Sequence, residues 1–245
     1  MPRAGGFQLS QTVNRQGAWQ GGAGPVFNAP ASVIGLIAML VAIHAALMAA
    51  GEDWQIWALY AFAFVPARLG GEAFPMIAGS QVWSFLTYAF LHGDWTHLLF
   101  NSLWLLVFGT PVARYLGTGR FLALCAIAAI GGGAASLVLH WGDRVIMIGA
   151  SGAVSGMLAA AIPIMYGHRV PGGARPLTAA ELLQNVRALG FMAIWLAITL
   201  VSGASGWTGN AFLEEGGIAW EAHIGGFVFG LAAFYLLARR RVYSA

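Results

Sequence analysis

Gly149-Ala150-Ser151-Gly152-Ala153-Val154-Ser155-Gly156 opens a hydrophobic run that continues to about residue 166, and Ala222-His223-Ile224-Gly225-Gly226 opens another further along the chain. A polar or ionisable side chain inside an apolar span is costly to bury and marks a functional site by default. Ser151 and His223 are in addition a nucleophile and a base, one at the mouth of each segment. Their pattern raises two linked questions: whether the chain crosses a membrane, and whether the two groups meet.

Composition answers the first. Of 245 residues, 59% are hydrophobic and only 9% charged, and mean hydropathy is +0.73. A soluble domain carries roughly 25% charged residues, so a soluble globule is excluded. The basic balance comes from Arg alone, since the chain has no Lys. It reads as membrane topology and contact with anionic lipid, with no nucleic-acid partner. Cys125, the single cysteine, has no intrachain partner and reads as packing.

A hydrocarbon core of about 30 Å needs about 20 apolar helical residues. Six segments are candidates, near 32–50, 97–116, 121–140, 151–166, 188–203 and 222–238, the fourth being short. The stretch from Ile56 to Leu69, broken by Pro66 and Arg68, reads as a partly embedded loop with short interfacial helices. Cytoplasmic loops collect Arg. With a cytoplasmic amino terminus, Arg68 and Arg144 are the only arginines outside, and Glu181 is the only acid inside. The expected architecture is an all-α polytopic membrane protein with six spans and both termini cytoplasmic. Residues 1–31 form a flexible cytoplasmic tail without the pattern of a cleavable signal peptide, 32–240 the membrane domain, and 241–245 a C-terminal tail.

That topology places the starts of spans two, four and six on the outer side of the membrane. His97 and Asn101, Ser151, and His223 are therefore expected at similar depth. Helix amino termini offer unpaired N–H groups and a positive dipole end, which favour an oxyanion. Taken alone, Ser151 is more simply a serine bonded to its own backbone, and His223 a buried histidine satisfied by a carbonyl. The glycines shift the balance. Gly149 and Gly152 allow the tight turn and close approach an exposed nucleophile needs. Small residues at Ser151, Gly152, Ser155 and Gly156 can pack against Gly226 and Gly230. His97 and Asn101 share a helical face and suit paired oxyanion donors. Metal binding by His92 and His97 is disfavoured, because no third ligand follows at a recognised spacing.

The run Trp83-Ser84-Phe85-Leu86-Thr87 leading to His92, then His97-Leu98-Leu99-Phe100-Asn101, then Gly149-Ala150-Ser151-Gly152 and Ala222-His223-Ile224-Gly225-Gly226 together resemble the rhomboid family of intramembrane serine proteases. The resemblance covers about residues 32–240. It implies a six-helix rhomboid-like bundle, a Ser151–His223 dyad, and an oxyanion hole from His97, Asn101 and the Ser151 N–H. His92, Gly149, Gly152, Gly225 and Gly226 are implied as supporting residues, and 204–220 as a cap over the site. The implied substrates are single-span transmembrane proteins, cleaved in the bacterial inner membrane from its outer side, with membrane lipids as the other contact and no metal or organic cofactor. Two positions depart from many members, Ser155 standing where a Tyr supports the histidine and Ser84 where an Arg is frequent. The alternative is a catalytically silent rhomboid-like binder of transmembrane clients. A transporter would show inverted repeats and broken helices, which the sequence lacks.

Overall fold

The computed structural model describes residues 29–70, 77–170, 173–204 and 219–238. The expected tails fall almost wholly outside the described residues, as does most of the implied cap over 204–220. The first helix, α1, spans Ala31–Ala50, and α2 spans Glu52–Phe62. A 3-10 turn at Pro66–Arg68, α3 at Ser80–Thr87 and a second 3-10 turn at Tyr88–Phe90 follow. Next, α4 (Trp95–Trp104) continues through a π-turn at Leu105–Gly109 into α5 (Thr110–Leu116). Then come α6 (Thr118–Leu139), α7 (Ser151–Met165), α8 (Ala179–Gln184), α9 (Val186–Ala204) and α10 (Trp220–Leu237).

Among the described residues five stretches are long and apolar enough to cross a membrane: Ala31–Ala50, Trp95–Leu116, Thr118–Leu139, Val186–Gly203 and Trp220–Leu237. The expected fourth span is the 15-residue α7. The chain is mostly helical, and between α7 and α8 it carries one short hairpin. His168–Val170 (β1) and Gly173–Arg175 (β2) pair antiparallel, with His168 opposite Arg175. In the connection between Gly167 and Pro176 the two short strands pair each other's backbone groups. Arg175 clamps Glu181 through both guanidinium nitrogens at 3.0 and 2.7 Å. Glu181 also completes a capping box with Thr178 at the start of α8. Arg175, followed by the Thr178 backbone, holds the Glu181 carboxyl well below its usual range.

Within this frame α7 is the innermost element. Every residue from Gly152 to Pro163 is buried, the mark of a helix with apolar neighbours on all sides. It packs against α10 and α6, which also pack against each other. Glycine makes these crossings close. A Cβ on Gly156 would lie 2.9 Å from the Gly226 carbonyl oxygen and 3.2 Å from the Gly230 Cα. On Gly226 it would collide with the Gly152 carbonyl. On Gly225 it would stand 2.5 Å from the Ala135 Cβ of α6. Since apolar burial itself does not drive helices together inside lipid, this backbone-to-backbone contact is the source of association.

The connection from α2 to α3 is held by polar bonds. Arg68 is buried, and its guanidinium donates to the carbonyls of Ala63 (2.6 Å), Tyr60 (2.8 Å) and Leu59 (3.3 Å). Trp83 Nε1 donates to the Ala61 carbonyl at 2.7 Å and Thr87 Oγ1 to that of Phe62 at 2.9 Å. These donors satisfy carbonyls at the end of α2 that the helix leaves without partners. Ser84 is buried. The loop in turn pins the approach to α7: Phe64 and Met147 exchange backbone hydrogen bonds of 3.0 and 2.9 Å.

Candidate active site

The turn into α7 is set by Gly149, whose φ of +114° lies where side-chain-bearing residues are strained. Its N–H donates to the Tyr88 carbonyl at 3.0 Å. Helical bonding starts at once, Val154 N–H donating to the Ala150 carbonyl at 2.9 Å. No side chain caps this end of α7. The first N–H groups are therefore left for another acceptor, and the positive end of the helix dipole sits at Ser151.

His97 and Asn101 come to this turn from α4. Asp94 caps that helix, accepting from the His97 N–H at 2.8 Å. The spacing of four brings both side chains to one face. That face meets Gly149: a Cβ there would lie 2.6 Å from His97 Cε1, 2.7 Å from His97 Nε2 and 3.7 Å from Asn101 Nδ2. Asn101 is buried, and its Nδ2 donor has no partner among the described residues. A buried amide left in this way is costly unless an acceptor arrives. Gly149 is thus required twice, for its φ and for the space that the two α4 side chains occupy.

His92 stands behind His97. The two rings meet edge to face with centroids 5.1 Å apart. His92 is buried in the loop before α4. Burial first, then the neighbouring His97 and His44, push its pKa well below the ordinary value, so it remains neutral at physiological pH and packs as a ring.

His223 lies in the first turn of α10, one turn before Gly226, and Ser151 immediately precedes Gly152. The Gly152–Gly226 contact therefore brings the two side chains to the same end of one helix crossing. Glu221, buried two residues before His223, faces His140 at 3.6 Å and ties the start of α10 to the end of α6. Gly225 does not reach the serine side. It packs α10 on Gly131 and Ala135 of α6. Ser155 is buried within α7, and α7 contains no aromatic residue. Among the described residues no group of three or more His, Cys, Asp or Glu could hold a metal ion.

Two contributors escaped the sequence reading. Arg68 was visible only as a charge interrupting an apolar stretch, which is itself the signal of a buried cation with carbonyl partners. Tyr88 lies one residue beyond the quoted run that ends at Thr87, and nothing in its spacing separates it from a core aromatic.

A family model described as Rhomboid domain matches residues 79–240. The chain is 24% identical over 243 residues to Rhomboid protease GlpG of Serratia proteamaculans, covering 98% of this chain and 70% of that protein. It is 30% identical over 152 residues to Rhomboid protease GlpG of Pectobacterium atrosepticum, 62% of this chain and 47% of the relative. With Rhomboid protease GluP of Bacillus subtilis it shares 38% identity over 100 residues, 41% of this chain and 19% of the relative. The match thus spans less than half the length of the last two. It includes the turn before Ser151, the His97 and Asn101 face and the first turn of α10, and with those segments inside one matched domain this integral membrane protein belongs to the rhomboid family of intramembrane serine proteases.

Proposed function

We propose that the chain hydrolyses peptide bonds in or beside transmembrane segments of single-span membrane proteins, using Ser151 as nucleophile and His223 as general base and then general acid. The observation that carries this reading is the glycine-mediated crossing of α7 and α10, which sets Ser151 and His223 at the same end of a buried helix pair while His97 and Asn101 converge on the turn before the serine.

The chemistry follows from those positions. Ser151 Oγ attacks the scissile carbonyl carbon as His223 takes its proton. The oxyanion is met by the Asn101 amide, His97 and the uncapped N–H groups at the start of α7. Collapse breaks the C–N bond, and His223 returns the proton to the leaving amine. Water then attacks the acyl ester as His223 accepts its proton, the bond between Ser151 Oγ and the acyl carbon breaks, and His223 returns the proton to Oγ as the acid leaves. The chain's own residues supply every proton transfer in this cycle, so it asks for no cofactor. A helical peptide bond is shielded by its own turn, so the substrate helix must unwind locally before it reaches Ser151.

The charge pattern supports six spans, α7 being the short fourth, with both termini cytoplasmic and the site towards the outer side. The bacterial relatives support an inner-membrane location. A fluorophosphonate probe and a model transmembrane substrate test the reading together. Labelling and cleavage by the wild type should both vanish in Ser151→Ala and in His223→Ala, with the double variant hardly worse than either single. Substantial turnover by Ser151→Ala would rule the dyad out. A wild type that binds the substrate without labelling or cleavage would indicate the silent client binder.

A further inference from the structure

Tyr88 has no task in the mechanism above, yet it is 1% exposed and bonded at both ends. Its backbone carbonyl accepts the Gly149 N–H at 3.0 Å. Its hydroxyl donates to the Ala129 carbonyl of α6 at 2.8 Å. The same hydroxyl stands where a methyl would go at two glycines, 2.7 Å from a Cβ added to Gly132 of α6 and 2.7 Å from one added to Gly152 of α7. The Ala222 carbonyl of α10 lies 2.9 and 3.5 Å from those same two positions. One residue of a 3-10 turn thus meets α6 and α7, and the carbonyl of Ala222, the neighbour of His223 on α10, borders the same gap.

We infer that Tyr88 is a positioning residue for the Ser151–His223 pair: its carbonyl holds the turn that aims Ser151, and its hydroxyl sets the spacing of α6, α7 and α10 at the level of the dyad. This rests on the proposed dyad. The need for such a residue is physical. The glycine crossings allow close approach but have no side chains to stop the helices from sliding, and α7 has no aromatic residue to brace the His223 ring. A phenol seated between a glycine of α6 and a glycine of α7, and bonded to the Ala129 carbonyl of α6, removes that freedom. Its tertiary bond is also cheap to delete, because Ala129 sits inside α6 and its carbonyl keeps a helical donor. Tyr88→Phe should therefore fold.

The test compares wild type, Tyr88→Phe, Gly152→Ala and the double variant as purified full-length protein in detergent. Fluorophosphonate labelling of Ser151, kcat and KM on a model transmembrane substrate, and thermal unfolding are measured for each. Tyr88→Phe should slow labelling and kcat by about tenfold with KM unchanged, the effect of a sub-ångström misplacement of reacting groups. Gly152→Ala should be slower still, because its methyl meets the hydroxyl. The double variant should recover above Gly152→Ala alone. Labelling of Tyr88→Phe at the wild-type rate, or a double variant no faster than Gly152→Ala, would overturn the inference. If the wild type itself fails to label, the dyad reading fails instead. The unfolding midpoints then still decide the placement of Tyr88: non-additive shifts support it and additive shifts overturn it.

Discussion

Two apolar helices of this protein, α7 and α9, occupy opposite kinds of environment. All of α7 from Gly152 to Pro163 is buried, although it is built mostly from Gly, Ala and Ser in its first turns. Only 11% of the α9 span is buried, and Ile194, Ile198 and Val201 are 63%, 61% and 67% exposed. The larger side chains are on the outside and the smallest are within. In water that arrangement would be perverse. In lipid it follows from the loss of a hydrophobic drive between helices, because a lipid chain solvates Ile as well as another helix does. Small residues then decide which helix is central. α7 and α10 can thus hold a constellation rigid to fractions of an ångström, while α9, stacked on α10 through Trp195 and Phe227 at 4.4 Å, is held by fewer contacts.

The contrast is most severely tested at Gly226. Gly226→Val places two methyl groups against the Gly152 carbonyl. The crossing must open, at a cost of about 1–3 kcal/mol or more for overpacking. A shift of about 1 Å at the dyad would cost on the order of 10²-fold in rate. The variant should lose labelling of Ser151 and unfold at lower temperature. Wild-type labelling would show that the crossing tolerates separation, and the distinction between the two helices would collapse.

Asn101→Ala leaves the packing intact and removes one donor aimed at the turn. Losing such a donor costs about 10²–10³ in kcat, with little change in KM. A change confined to KM would make Asn101 a substrate contact instead.

Arg68→Ala probes the polar loop that supports the inner helices from outside the crossing. It removes hydrogen bonds from the carbonyls of Ala63, Leu59 and Tyr60, the first of them buried. The expected loss of stability is about 2 kcal/mol, read as a lower Tm in detergent. Activity should fall modestly, because the loop reaches the proposed dyad only indirectly, through the Phe64–Met147 bridge and the Phe64 ring beside Tyr88. An unchanged Tm would mean that Trp83 and Thr87 anchor the end of α2 unaided.

The smallest effect is expected on α9. Ile198→Ala alters an exposed side chain and should change stability by less than about 0.5 kcal/mol, with labelling at the wild-type rate. A loss comparable to that of Gly226→Val would erase the contrast between buried and exposed spans.

Much of this was legible before any coordinates. The apolar runs near 32–50, 121–140 and 222–238 correspond to α1, α6 and α10 within a residue or a few at each end, because a span's length is dictated by the bilayer and its apolarity is continuous along the chain. The small-residue faces at Gly152 and Gly156 and at Gly226 and Gly230 were legible for a similar reason: a four-residue spacing defines one helical face whatever surrounds it. The hairpin was less accessible, since three-residue strands carry no period to detect. The π-turn at Leu105–Gly109 was hidden too, because hydropathy is blind to a change in helical pitch.

The sequence by itself determined that the chain enters a membrane, which segments are apolar enough to cross it, and that a serine and a histidine open two of those segments. All three are properties of composition and local spacing. Only the tertiary structure decided that Gly225 faces α6 while Gly226 faces α7, that Arg68 ties down the loop after α2, and that Tyr88 stands between α6 and α7. Those outcomes depend on how helices rotate and approach one another. In lipid, such choices are settled by shape and by hydrogen bonds between residues far apart in the chain, which one-dimensional periodicity does not encode.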